Sequence, residues 1–234
     1  MTFYITPKDI ITDFLRTNLV DPRARSEASN TETFTATASQ TTFSLSAPSG
    51  SVSCVTSVKV AGVAQTKWGD YKWDRRGEDI IFFTGITLND AVVIIYKYGS
   101  SNWIYSDKPN TELGSTSFPR INILIPSTTG QRLGNYEAPV QSNIHFQVDI
   151  WTKEKITGNI FTIGGHVYAG NELVDYIAIK IIEAFEDSVD DLYPAMYDYI
   201  PLSAPRDLPF NVGYQSYHGV VEFLMKSLDL GRLA

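Results

Sequence analysis

The stretch from Ile144 to Thr152 reads IHFQVDIWT. Ile144, Phe146, Val148 and Ile150 alternate strictly with His145, Gln147, Asp149 and Trp151, and a period of two puts one set on each face of a β-strand. A face that apolar needs a cover. The run VYAGNELVDYIAIKIIEAFE (167–186) supplies one. Leu173, Val174, Ile177, Ile181, Ile182 and Phe185 recur at helical spacing, with Glu172, Asp175, Glu183 and Glu186 on the opposite side. Ile179 falls within the polar stripe, either as a subunit contact or as a singly exposed apolar side chain.

The rest of the chain supplies more layers. PKDIITDFLRTNLV (7–20) opens with a helix signature: Thr6 can cap, Pro7 suits the first turn and Asp9 follows three residues after Thr6. Ile10, Ile11, Phe14, Leu15 and Leu19 give it one apolar stripe, and Asp21-Pro22 ends it. From about Ser26 to Gly99, Ser, Thr, Val and Gly dominate. Short strands are expected at 34–37, 42–45, 55–62, 70–75, 79–85 and 91–99, separated by turn material such as APSGS and RRGED, the spacing of a small antiparallel sandwich or barrel. Residues 100–117 read as polar connection. FPRINILIP (118–126) alternates again and reads as a strand. STTGQRLGNYEAPVQS (127–142) reads as a long hairpin loop or arm, KEKITGN (153–159) as a loop, and 196–203 and 217–227 as two final strands. The expected fold is α+β: an antiparallel sheet with two helices on one face, in the order α-β-β-α-β-β, carrying an inserted all-β sandwich. The host body is residues 1–25 and 100–234, and the insert is 26–99.

Composition narrows the function classes. With 234 residues, 43% of them hydrophobic, the chain can bury one good core or two smaller ones. A formal charge of -7 argues against a general nucleic-acid binder, which presents a basic stripe. Cys54, the single cysteine, cannot form an internal disulfide. The start, MTFYITPKDI, has no apolar segment of signal-peptide length, and the longest apolar runs are too short to span a bilayer. The expectation is a protein made and folded in a cytoplasm without membrane insertion.

Chemistry is sparse. His145 and Asp149 share a strand face, but four residues along a strand is about 13 Å, beyond a shared proton or metal ligand. His166 sits among glycines and His218 begins the last strand. No HExxH, CxxC or HxH spacing occurs. The acidic run EAFEDSVDDLY (183–193) lacks the glycine and spaced oxygens of a calcium loop and reads as a solvated helix end. No GxGxxG, P-loop or GxSxG is present. We therefore expect no enzyme, no cofactor and no metal. What remains is contact surface. Asp149 and Trp151 lie on the outward strand face, Arg132, Tyr136 and Glu137 on the arm, and Ile179 on the helix; all are candidates for a subunit interface. Trp68, Tyr71, Trp73, Arg75 and Arg76 of the β-block either contact a partner or glycan or pack across strands.

A short helix ending in DPR (21–23), then SFPRINILIP (117–126), then NIHFQVDIWTK (143–153), then an apolar helix and strands, resembles the tail-terminator, or tail-completion, proteins of long-tailed bacterial and archaeal viruses. TFTATASQTTFSL (33–45), continuing to VVIIYKYG (92–99), is similar to small β-domains of viral tail and fibre proteins. The resemblance covers about 1–25 and 100–234; the block 26–99 departs from the usual pattern. It implies a virion protein of the tail or neck, assembled in the host cytoplasm. Such a protein forms a closed ring, commonly a hexamer, on the last layer of the tail tube, stops tube polymerisation and offers a surface to the head–tail connector, with DNA passing through the ring rather than being read by sequence. The alternatives are another neck, tail or baseplate structural protein, or an adhesion module binding glycan through the β-block.

Overall fold

The structure, a computed structural model, describes residues 7–25, 28–74, 77–99, 102–106, 118–132, 140–153, 159–192, 196–211 and 216–228. The chain is α+β, dominated by antiparallel strands, with two α-helices. It divides into two compact units. One comprises Met1–Arg23, Trp103–Asp190 and Ala195–Ala234; the other comprises Ala24–Asn102 and Asp191–Pro194.

The first unit is built on β10 (Val140–Lys153), flanked by β9 (Arg120–Arg132) and β15 (Ser216–Leu228), both antiparallel to it. β13 (Tyr197–Pro201) and β14 (Arg206–Asn211) share the far edge of β15, and β8 (Ile104–Tyr105) lies parallel to β9. Ile144, Phe146, Val148 and Ile150 are all 0–1% exposed. Val221, Phe223 and Met225 lie on the same face, because the register pairs Ile144 with Met225, Phe146 with Phe223 and Val148 with Val221. Helix α1 (Pro7–Asn18) and helix α2 (Asn171–Ser188) cover that face with the apolar stripes that their spacing predicts. Phe185 of α2 is the hub. Its ring centroid lies 4.8 Å from Phe14, 4.5 Å from Phe223 and 4.9 Å from Tyr199, and Phe223 in turn stacks on Phe146. Fully burying such a side chain stabilises the fold by about 1.5–3 kcal/mol.

Several expectations are corrected here. The segment 127–142 is not all loop. β9 runs on to Arg132 and β10 begins at Val140, with Gly130 paired to Ser142. The apparent end of the strand at Pro126 is a β-bulge: Ile125 and Pro126 together face Phe146, so a residue without an N–H is accommodated without ending the ladder. The tip, 133–139, lies outside the described residues, as do Thr6 and 154–158. Val167 and Tyr168 do not start the second helix; they belong to β12 (His166–Tyr168), paired with β11 (Phe161–Ile163) through Gly164 and Gly165 at φ 58° and 85°. Two consecutive positive φ angles suit a tight two-residue hairpin turn and favour glycine. The helix begins only at Asn171, after Gly170 at φ 56° and ψ -125°. The C-terminal third holds three strands, not two. The connection after residue 100 contains β8, with Trp103 and Ile104 buried. Arg16 of α1 donates to the Ile104 carbonyl at 3.0 Å, fixing this short strand beneath the helix.

The second unit has two sheets, ordered β1-β7-β3-β4 and β2-β6-β5. Their strands are β1 (Ala28–Thr35), β2 (Gln40–Ser44), β3 (Ser51–Val60), β4 (Val63–Ala64), β5 (Tyr71–Asp74), β6 (Asp79–Ile86) and β7 (Ala91–Gly99). Both sheets feed one buried cluster, including Phe43, Cys54, Trp73, Ile80, Phe82, Ile94 and Tyr96. β1 starts six residues before the expected strand at Phe34, because its polar, exposed Ser/Thr pattern carries no apolar signal. The Tyr96 hydroxyl donates to Glu32 and receives a hydrogen bond from Asn30 at 2.8 Å. Burial and the Glu32 contact push its pKa up to about 12.

Candidate functional site

The face of β10 turned away from the helices is polar and largely buried. His145, Gln147, Asp149 and Trp151 alternate along it, as the period of two requires. Register brings Asn122 of β9 and Val220 of β15 beside Asp149, Arg120 and His218 beside Trp151, and Glu222 beside Gln147. His145 and Asp149 do not meet; each takes a partner from β15. The Nε2 atom of His218 lies 3.2 Å from an Asp149 carboxylate oxygen, and the Gln147 amide donates to the same oxygen at 2.8 Å. His145 approaches Glu222 at 3.6 Å, and Arg206 of β14 approaches the other Glu222 oxygen at 3.2 Å. The rings of Trp151 and His218 stack with centroids 3.8 Å apart and planes 10° apart.

At the β9 end, the Arg120 guanidinium lies 3.6 Å from the centre of the Tyr105 ring and its Nε donates to Asn122 at 3.3 Å. Asn122 is 0% exposed, and among the described residues its side-chain nitrogen, the Trp151 indole N–H and the Nε2 atoms of His145 and His218 have no hydrogen-bond partner, so the two histidines meet their carboxylates by proximity alone. Half-buried cross-strand pairs of this kind hold register and shape a recognition surface. Among the described residues, no three His, Cys, Asp or Glu side chains come together as a metal would need.

The DPR segment (21–23), the FPR segment (118–120) and Lys153 at the end of β10 are brought together in space. Asp21 of the DPR segment accepts the Arg23 backbone N–H at 3.0 Å. The Arg23 guanidinium donates to the Phe118 carbonyl, the first residue of FPR, and to the Asn159 side chain at 2.6 Å. It also faces the Phe161 ring, 5.2 Å from its centre, while the Lys153 ammonium lies 5.0 Å from the Phe118 ring. One planar donor fork thus ties the exit of α1 to the start of β9 and to the segment leading into β11. The DPR spelling marks Arg23 in the sequence, but nothing there identifies its partners.

The candidate contact residues fall in different surroundings. Asp149 is 5% exposed and already engaged by Gln147 and His218. Trp151 is half-buried under its stack with His218. Ile179 is 52% exposed on the outer side of α2. Arg132 closes β9, with its side chain outside the described residues, and Tyr136 and Glu137 lie outside them altogether. A cleft of about 350 Å³ opens between the end of α1 and the stretch of α2 from Tyr176 to Ser188, lined by Leu19, Val20, Trp103, Tyr176, Ile177 and Lys180, among others. On the other side of the main sheet, the edge of β9 from Ile123 to Arg132 has no strand partner among the described residues, and Pro126–Gly130 are exposed.

Trp68, Tyr71 and Trp73 of the second unit do not form an exposed glycan platform. Trp68, Tyr71 and Trp73 are 3–4% exposed, and Tyr71 and Trp73 are members of its core. Arg75 and Arg76 lie outside the described residues. No protein-family model matches the chain, and no curated protein matches it either.

Proposed function

We propose that the chain is a ring-forming structural protein of a viral tail, a tail terminator. Its copies close into a ring, commonly hexameric, on the end of the tail tube, stop polymerisation and meet the head–tail connector, with DNA passing through. In this reading residues 1–25 and 100–234 form the terminator body, and 26–99 an inserted β-sandwich. The protein belongs to the virion, is assembled in the host cytoplasm and works without enzymatic activity, cofactor or membrane.

The observation that carries the reading is the open β9 edge. From Ser127 to Arg132 it continues the main sheet past the bulge, with Ser127–Gly130 exposed and no strand on its outer edge among the described residues. An unpaired edge is a template for strand addition from a neighbour. When the edge and its complement lie on different patches of one chain, copies join head to tail, and the contact forms a ring if the rotation closes. The resemblance of the DPR, FPRI and QVDIWTK segments supplies the tail context.

The test is native mass spectrometry with negative-stain imaging, followed by a proline scan over Ser127–Gln131. The expected result is a discrete ring, with at least one proline that prevents the ring while leaving the monomer's melting unchanged. Open stacks would indicate a tube subunit instead. A chain that stays monomeric and fails to cap preformed tail tubes would overturn the proposal.

A further inference from the structure

The cleft between α1 and α2 carries an inference independent of any ring. Its floor is apolar: Leu19, Trp103, Ile177 and Ala184 are each under a tenth exposed, yet line open space. Val20, which also lines it, is 72% exposed. The rim is charged, and unevenly so. Lys180 is engaged with Glu183 at 2.5 Å, which leaves Asp187 as the unbalanced charge among the lining residues. Just beyond, Glu186 and Asp190 are exposed, and the last turn of α2 contains no basic residue. The chain stays helical beyond α2, as a 3-10 turn over Val189–Leu192, so the negative charge at this rim is that of the carboxylates themselves. Unbalanced carboxylates beside an apolar cleft favour a cationic partner.

We infer that this cleft docks a segment of a partner protein that presents a large apolar side chain beside a lysine or arginine. The apolar side chain fills the floor, replacing water over Leu19, Val20 and Ile177. The cation meets Asp187, balancing the negative charge of this rim. Pockets of this size and lining bind by apolar burial and are oriented by a few polar groups, and complementary charge sets which segments enter.

The test uses the full chain with methyl-labelled Ile, Leu and Val, titrated with three short synthetic peptides. One carries Leu-Trp next to Arg-Lys, one has the basic pair replaced by Glu, and one has Leu-Trp replaced by Ser. The first should shift the methyls of Leu19, Val20 and Ile177, and bind about tenfold more tightly than either control. Asp187→Asn with Glu186→Gln should weaken it about threefold and flatten its salt dependence. Both are exposed positions at which the fold tolerates change, and Val20→Ser gives an independent check on the apolar half. Equal binding of the basic and acidic peptides, shifts elsewhere on the surface, or no shift at millimolar peptide would overturn the inference. So would concentration-dependent shifts of the cleft methyls without peptide, which would make a second copy of the chain the occupant.

Discussion

His218 lies flat on Trp151, ring over ring at 3.8 Å, while its Nε2 reaches Asp149 two residues back along the same strand. One imidazole therefore ties the last strand to two side chains of the central one. Stacked aromatic pairs contribute about 0.5–1.5 kcal/mol beyond the area they bury. His218→Ala and Trp151→Ala should each destabilise the protein, and the double mutant should cost less than their sum by about 1 kcal/mol. Denaturant melts of the four proteins in the cycle measure that coupling; strict additivity would mean that the stack contributes nothing.

Phe185 meets Phe14, Phe223 and Tyr199 at once. Phe185→Ala should cost about 3–5 kcal/mol. In an urea melt the first unit should unfold early, with loss of helical circular dichroism. Phe185→Leu, which refills most of the space, should recover much of that loss.

Gly164 and Gly170 have nearly the same φ, 58° and 56°, but different surroundings. A Cβ at Gly164 meets nothing within 4 Å, whereas one at Gly170 would lie 2.9 Å from the Tyr217 ring. Gly164→Ala should therefore cost about 1 kcal/mol, the backbone penalty alone. Gly170→Ala should cost about 3 kcal/mol, since the clash adds to a φ/ψ pair closed to other residues. Thermal melts of the two variants against wild type separate the contributions.

Tyr96 gives the second unit an alkaline limit. Its pKa is raised from 10.0 to about 12 by burial first and by the Glu32 hydrogen bond second. The neutral phenol is thus favoured in the folded state. Its stabilising effect is complete below pH 10.0 and is lost as pH rises towards 12, where the unfolded chain has already released the proton. Stability should fall across that window, and Tyr96→Phe should flatten the fall. Denaturant melts at matched ionic strength on either side of the window check this.

The host elements were readable in the sequence because each obeys a single period. Ile144 to Ile150 alternate over a full strand, and Leu173 to Phe185 keep helical spacing, so burial follows from pattern alone. The parts that escaped have other determinants. β14 alternates only at Leu208 and Phe210 and carries Pro209 between them, which speaks against a strand, and it is held by backbone pairing to β15. β1 is a polar edge. The β11–β12 hairpin is set by two adjacent glycines at positive φ, and reading on through them made the second helix start too early. On the polar face, His145 and Asp149 were correctly kept apart by distance along β10. Their true partners, Glu222 and His218, lie about seventy residues away, and only the β10–β15 register brings them together. Residues that work as pairs across strands cannot be found from one strand.

The bulge at Ile125–Pro126 also sets the phase of everything beyond it. Before it, odd-numbered residues of β9 face the helices, as Ile121 does opposite Ile150 and Ile123 opposite Val148. After it, Ser127 sits opposite His145 and Thr128 opposite Ile144, so the even-numbered residues face that side instead. Loss of one codon at Pro126 would remove the bulge and leave Ser127 opposite His145 and Thr128 opposite Ile144, because the bulge takes up just that one extra residue. The sheet around Phe146 would remain as it is. The bulge thus lets β9 carry one residue more than its partner and can be lost or gained there without turning the distal half over, so the outer edge keeps its surface while the length of the strand varies.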